Sequence, residues 1–145
     1  MIEIGPLRAA DRADWEALFR GYIAFYKRTL PQEMYDRAWN EFQAGTRMHA
    51  LCAKIDGRVV GIVHFLVHVN TTARDVCYLQ DLFTAEDMRG RGVARALIAA
   101  VADWARGQHC ARVYWMTQDS NARARILYDK VAENRGFIRY QIELE

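Results

Sequence analysis

Arg89-Gly90-Arg91-Gly92-Val93-Ala94-Arg95 places three guanidinium groups and two glycines in one short segment, after a strand-like run and at the start of a helix-like one. Glycines at 90 and 92 let backbone approach a ligand closely, and the first N–H groups of a helix lack partners inside that helix. Arginines at a helix N-terminus oppose its dipole, so an anion is needed to offset them. The chemistry implied is binding of a phosphate-bearing molecule. The dinucleotide fingerprint G-x-G-x-x-G fails because Arg95 stands at its third glycine, and the ATP-binding G-x-x-x-x-G-K-[S/T] fails because no Lys-Ser or Lys-Thr follows.

A second segment with chemical potential is Asn121-Ala122-Arg123-Ala124-Arg125-Ile126-Leu127-Tyr128. Ala124, Leu127, Tyr128 and Val131 fall on one helical face, so the Tyr128 phenol is expected to look inward beside core residues. His64 and His68 fall on one face of a strand, but four residues in a strand span about 13 Å, too far for one metal ion. No metal site is expected. A single histidine near a substrate amine stays open, as does Asp81, which reads equally well as an anchoring carboxylate or a catalytic one.

The elements that must position these groups follow from periodicity. A first strand is predicted over 2–8, then a helix capped by Asp11 with Trp15, Leu18, Phe19, Tyr22 and Tyr26 on its apolar face. Thr29-Leu30-Pro31 breaks that helix. A second helix spans 32–44 and stops at Gly45. Strands at 48–55 and 58–69 are joined by Asp56-Gly57, a strong hairpin signal. A fourth strand at 75–84 leads into the arginine-glycine loop, and a central helix covers 92–107. Strand 111–117, helix 121–133 and strand 137–144 complete an α/β order, expected to give a mixed sheet with helices on both faces.

Composition is that of an ordinary globular chain, 52% hydrophobic and 26% charged, and residues 1–145 read as a single domain. No run approaches the roughly 18 apolar residues of a membrane span, and no N-terminal signal region is recognised. A cytoplasmic protein is expected, with no membrane partner. Net charge of +2 does not argue for nucleic acid. Cys52, Cys77 and Cys110 are widely spaced and read as reduced thiols.

Arg89-x-x-Gly92-x-Ala94, together with the Asn121 to Tyr128 segment, resembles the GNAT N-acetyltransferases, and the element order resembles that fold over essentially the whole chain. Tyr78-Leu79-Gln80-Asp81-Leu82-Phe83, Tyr114-Trp115-Met116-Thr117-Gln118 and Leu127-Tyr128-Asp129-Lys130 are similar to the histone and polyamine (diamine) acetyltransferase branch. The resemblance implies a mostly antiparallel mixed sheet whose fourth and fifth strands splay, with acetyl-CoA as co-substrate. It implies cofactor contacts from Leu82, Phe83 and Thr84 through their backbone, from Arg89, Gly90, Arg91, Gly92, Val93, Ala94 and Arg95 at the pyrophosphate, and from Asn121 and Ala124 beside the pantetheine arm. Tyr128 is implied as the acid for the leaving thiolate. The acceptor is a primary amine on a polyamine, an amino acid, another small molecule or a protein tail, with Gln80 and Tyr26 beside it, and a homodimer is implied as well. Related enzymes carry Glu where this chain has Gln80, which cannot take a proton at neutral pH. The rival reading is a non-catalytic acyl-CoA-binding module or sensor.

Overall fold

The computed structural model describes residues 1–145. The strands are β1 (Glu3–Gly5), β2 (His49–Ile55), β3 (Arg58–His68), β4 (Val76–Thr84) and β5 (Val113–Tyr114). The helices are α1 (Arg12–Phe25), α2 (Gln32–Ala44), α3 (Val93–Gly107) and α4 (Ala122–Val131). One sheet contains all five strands in the order β1-β2-β3-β4-β5, antiparallel except for the parallel β4–β5 pair. This is the expected α/β architecture.

Asp56 and Gly57 both take positive φ, 51° and 79°, the backbone that a two-residue hairpin turn needs to match strand twist. β3 reads Val59-Val60-Gly61-Ile62-Val63-His64-Phe65, apolar almost throughout, because helices cover both faces of the sheet. On one face Trp15, Phe19 and Ile23 of α1, four residues apart, join Tyr35 and Trp39 of α2 against Val59 and Ile62. On the other, Val93, Leu97, Val101 and Ala105 of α3 pack on Val60, Val63, Phe65 and Leu79. Each such aliphatic side chain contributes about 1.5–3 kcal/mol on burial.

Gly61 decides how closely α3 can approach. A Cβ there would stand 2.5 Å from Val93 Cγ1 and 3.0 Å from Leu97 Cδ1, so the first turn of α3 lies directly on β3. The glycine is required by close packing and not by its φ.

Four expectations are corrected. Residues 137–144 form no strand: their alternating pattern suits one, but no backbone group of residues 133–145 bonds to another strand. The fifth strand shrinks from 111–117 to Val113–Tyr114, because its neighbour β4 diverges after two residue pairs. The first strand shrinks to Glu3–Gly5, which is as far as β2 pairs with it. Asp11 precedes α1, but its carboxylate does not cap that helix; it accepts from the Arg8 N–H at 2.8 Å and pairs with Lys54 at 2.9 Å. The Arg8 N–H, the Lys54 ammonium and a buried position outcompete the cap.

Candidate active site

The loop between β4 and α3 is an anion cradle built from backbone. Gly90 and Gly92 adopt φ of 81° and 83°, a left-handed conformation that other residues take only at a cost of about 1–2 kcal/mol. With Gly92 at the N-cap, no side chain caps α3, its first turn carries no acidic residue, and the N–H groups of Val93, Ala94 and Arg95 donate to nothing within the chain. The Val93 side chain is buried against the sheet, leaving only its backbone to face a ligand. Arg58 grips Asp87 at 2.9 and 3.1 Å and ties the loop to β3, while the Arg89 guanidinium lies 5.5 Å from the Phe83 ring centroid. Open space surrounds both glycines, so the loop leaves room for a pyrophosphate group.

Further along β4 the sheet splits. Only Cys77–Val113 and Tyr78–Tyr114 pair across β4 and β5. Beyond them a cleft opens between Leu79, Gln80 and Leu82 on one side and Trp115, Met116 and Thr117 on the other. Tyr22 of α1 and Tyr26, just past its end, wall it, and Tyr128 of α4 closes it. Trp115 meets Tyr128 edge-on, with centroids 5.4 Å apart, which fixes the phenol's ring. Burial holds the Tyr128 phenol above its ordinary pKa, with the neighbouring Tyr26 adding to the shift, so the hydroxyl is a proton donor at neutral pH.

A bulge in β4 decides which side chains meet. His64 pairs with Asp81 and Phe65 with Leu79, leaving Gln80 without a partner. A regular strand would put Asp81 on the same face as Leu79. The extra residue turns Asp81 to the α1 side, where its Oδ2 lies 2.9 Å from His64 Nδ1. Trp15 Nε1–H, which can only donate, reaches His64 Nε2 at 3.0 Å. His64 Nε2 must therefore accept, the ring proton sits on Nδ1, and the histidine, 1% exposed, is neutral and donates to the Asp81 carboxylate. The Tyr22 phenol stands beside Asp81 and Tyr26; burial first, then the Asp81 charge, drives its pKa far upward. Trp15, His64, Asp81 and Tyr22 thus form a polar chain ending at the cleft.

The sequence-predicted residues divide accordingly. Tyr128, Gln80, Leu82 and Tyr26 share the cleft, and residues 89 to 95 form the cradle. Phe83 faces α1, packing on Tyr22 and Gly21, which leaves its backbone to a ligand, and Thr84 pairs with Gly61. The Asn121 side chain caps α4 through the Ala124 N–H at 3.5 Å and reaches Thr117 Oγ1 at 3.4 Å. His68 is taken up by the Tyr114 hydroxyl at 2.8 Å. Trp15, read from the sequence as a core residue, was missed as a hydrogen-bond donor, and no local signal marks it. No three His, Cys, Asp or Glu side chains are grouped so as to hold a metal ion.

The acetyltransferase (GNAT) family matches residues 15–132. A D-amino-acid N-acetyltransferase, HPA3 of Saccharomyces cerevisiae, is 31% identical over 97% of this chain and 89% of its own length. A ribosomal-protein-alanine N-acetyltransferase from Brucella melitensis superposes with a TM-score of 0.82 at 25% identity, covering 99% of both chains. The fold is shared with the aminoglycoside N-acetyltransferase AAC(6')-Iy in complex with CoA, with a TM-score of 0.88 at 18% identity over 99% of this chain and 95% of that one. The chain belongs to the GNAT family and is an N-acetyltransferase.

Proposed function

We propose that this chain transfers the acetyl group of acetyl-CoA directly to a primary amine of low charge, in the class of amino acids, within a ternary complex. The observation that carries the reading is the splay of β4 and β5, which opens a cleft between a backbone anion cradle and a half-buried phenol. The free N–H groups of Val93, Ala94 and Arg95, with the arginines around them, suit a pyrophosphate; Asn121, bonded to Thr117 of the cleft wall, and Ala124, whose N–H it accepts, are assigned to the pantetheine arm. Acetyl-CoA, when bound, supplies an acyl thioester as electrophile.

The acceptor class follows from the cleft's lining. It contains no Asp or Glu, and Gln80 is uncharged, so a polyamine's several cations would find no partners. Tyrosine faces suit a single ammonium group. An amine with a pKa near 10.4 is about one part in a thousand neutral at pH 7, so its proton must be removed. Asp81 takes that role: the Tyr22 hydroxyl accepts the amine proton while passing its own to the Asp81 carboxylate, and His64 with Trp15 holds the carboxylate in place. Tyr128 keeps a proton at its hydroxyl for the departing sulfur. As the nitrogen–carbon bond forms and the carbon–sulfur bond breaks, Tyr128 gives its proton to the departing sulfur, the second proton of the attacking nitrogen restores the Tyr128 hydroxyl, and the first proton, held on Asp81, is released to solvent. Burial pushes the Cys52 thiol to about 11 and the Cys77 thiol to about 12, so neither is a thiolate able to form an acyl-enzyme. The same reading makes residues 1–145 one catalytic domain working in the cytoplasm as a homodimer.

Thiol release from acetyl-CoA, followed with D- and L-amino acids, diamines and aminoglycosides, tests the proposal. Turnover is expected with amino acids, and Tyr128→Phe is expected to lower kcat by about 10² while retaining CoA affinity. CoA binding without turnover on any amine would instead favour the acyl-CoA sensor.

A further inference from the structure

One end of the sheet's α1 side is left outside the core. Phe65 and Leu79 face α3, so alternation along the strands turns Leu66, His68 and Tyr78 to the opposite side, the one that α1 and α2 cover elsewhere. Tyr114, paired with Tyr78, faces the same way. Leu66, Tyr78 and Tyr114 are half-buried, His68 is exposed, and Met116, two residues past Tyr114, is 50% exposed. None of the five belongs to either half of the core.

This aromatic strip is held in place although it covers nothing. The Tyr78 and Tyr114 rings stand with centroids 5.0 Å apart and planes 30° apart. The Val69 carbonyl can only accept, so His68 donates to it from Nδ1 at 3.0 Å, and His68 Nε2 accepts from the Tyr114 hydroxyl at 2.8 Å. The imidazole meets Tyr114 edge-on, with centroids 5.8 Å apart. A surface ring fixed by two neighbours has little freedom left to lose when a ligand packs on it. Burial holds the Tyr78 phenol above its ordinary pKa, opposed by the Arg139 charge and reinforced by that of Asp81, so the phenol stays neutral at pH 7 and the strip lies within reach of the carboxylate that takes the amine proton.

The strip is continuous with the cleft. Tyr78–Tyr114 is the last pair before β4 and β5 part, and two residues further along each chain segment Gln80 and Met116 line the opening. Two residues of strand cover about 7 Å, the reach of a large side chain from its own amino nitrogen. We infer that the strip around Tyr78 and Tyr114 is the subsite for the side chain of the acceptor amino acid and selects aromatic and large apolar side chains, an inference that rests on the amino-acid acceptor proposed above. With the amine at Tyr22, a ring at Cβ falls against Met116 and the two tyrosines, where aromatic pairing adds to simple burial. An alanine methyl stops short of them. The strip carries no carboxylate and no ammonium group, so a lysine or glutamate side chain gains no partner there.

Steady-state kinetics of the wild type with saturating acetyl-CoA and both enantiomers of alanine, leucine, phenylalanine, tryptophan, lysine and glutamate test the assignment. For the preferred enantiomer, kcat/KM for phenylalanine or tryptophan is expected to exceed that for alanine by about tenfold, with leucine between them and lysine and glutamate no better than alanine. The gain should lie in KM, because the strip touches no reacting atom. Tyr114→Leu, which keeps apolar bulk but removes the ring and its bond to His68, should cut the phenylalanine-to-alanine ratio to about twofold and keep the rise in Tm that CoA gives. Turnover of amino acids without any dependence on side-chain size would give the strip to another occupant and overturn this inference alone. A ratio unmoved in a folded Tyr114→Leu protein would overturn it too. No turnover of any amino acid, with turnover of diamines or aminoglycosides, would overturn the acceptor class and this inference together. If Tyr114→Leu does not fold, the wild-type series decides.

Discussion

The loop that opens α3 and the cleft beside Tyr128 lie along the same strand, β4, yet they are made of different material. The loop offers backbone: three free N–H groups, two left-handed glycines, and the exposed Arg91 and Arg95 around them. The cleft offers side chains, each held by another: Tyr128 by Trp115, Asp81 by His64, His64 by Trp15. A backbone site fails when a bulky or charged side chain enters it. A side-chain site fails when one polar group loses its partner, because a buried group without one costs about 1–3 kcal/mol. The two regions should therefore break in different ways.

Gly92→Glu should have the largest effect, and only on the loop. It forces a side chain into φ +83° and sets a carboxylate where the anion belongs. CoA at a hundredfold excess over its Kd should stabilise the wild type by about 2.7 kcal/mol, read as a rise in Tm, and should not stabilise the variant. A folded Gly92→Glu protein that keeps its CoA shift would remove this loop from the site.

Asp81→Asn addresses the other region. Asn keeps an oxygen for the His64 N–H but cannot take a proton, so kcat should fall by about 10²–10³ with CoA binding intact. Loss of the Asp81 charge also relieves part of what raises the Tyr22 phenol, whose main cause is burial. Both half-buried tyrosines, 22 and 128, hold raised values, so the stability they lend is complete below the ordinary tyrosine pKa of about 10 and fades as pH climbs through the folded values. Unchanged kcat in Asp81→Asn would reduce the polar chain to an anchor.

Gly61→Ala tests whether the two regions share a foundation. The added methyl meets Val93 and Leu97 and must lift the first turn of α3 from β3, at a cost of about 1–3 kcal/mol in urea unfolding. CoA should bind more weakly, whereas kcat at saturating CoA should stay near wild type. Equal losses in both would show that α3 positions the cleft as well as the loop.

The same contrast explains what was legible in the sequence. Gly90, Gly92 and the Asp56-Gly57 turn act through local backbone preference, and a local reading finds them. Asp81 does not: its face depends on the bulge at Gln80, and that is set by the register of β3 against β4. Trp15 and His64 are 49 residues apart, and nothing in either segment announces the other. Residues 137–144 carry a true strand pattern, but pattern specifies only a face, and a strand also needs an edge to pair with. Asp11 had the residue type of a cap, yet Lys54, reached only through the β1–β2 pairing, claimed its carboxylate.

Gln80→Glu should have the smallest effect and give the finest comparison. Gln80 is the unpaired residue of the bulge and an exposed wall of the cleft, so the nearly isosteric change disturbs neither ladder nor core. A carboxylate there, with an ordinary pKa near 4.3, is ionised throughout the neutral range. It adds a charge that the cleft otherwise lacks, and diamines should gain about 0.5–1 kcal/mol, or roughly two- to fivefold in kcat/KM, relative to amino acids. Amino-acid carboxylates meet a like charge and should lose by a similar factor. CoA affinity should not move, since the loop lies at the far end of β4. Competing amine pairs at several salt concentrations provide the measurement, because an electrostatic preference weakens as salt rises. If the ratio of diamine to amino-acid turnover is the same in both proteins, position 80 does not face the amine, and acceptor selection belongs to Tyr22 and Tyr26 instead.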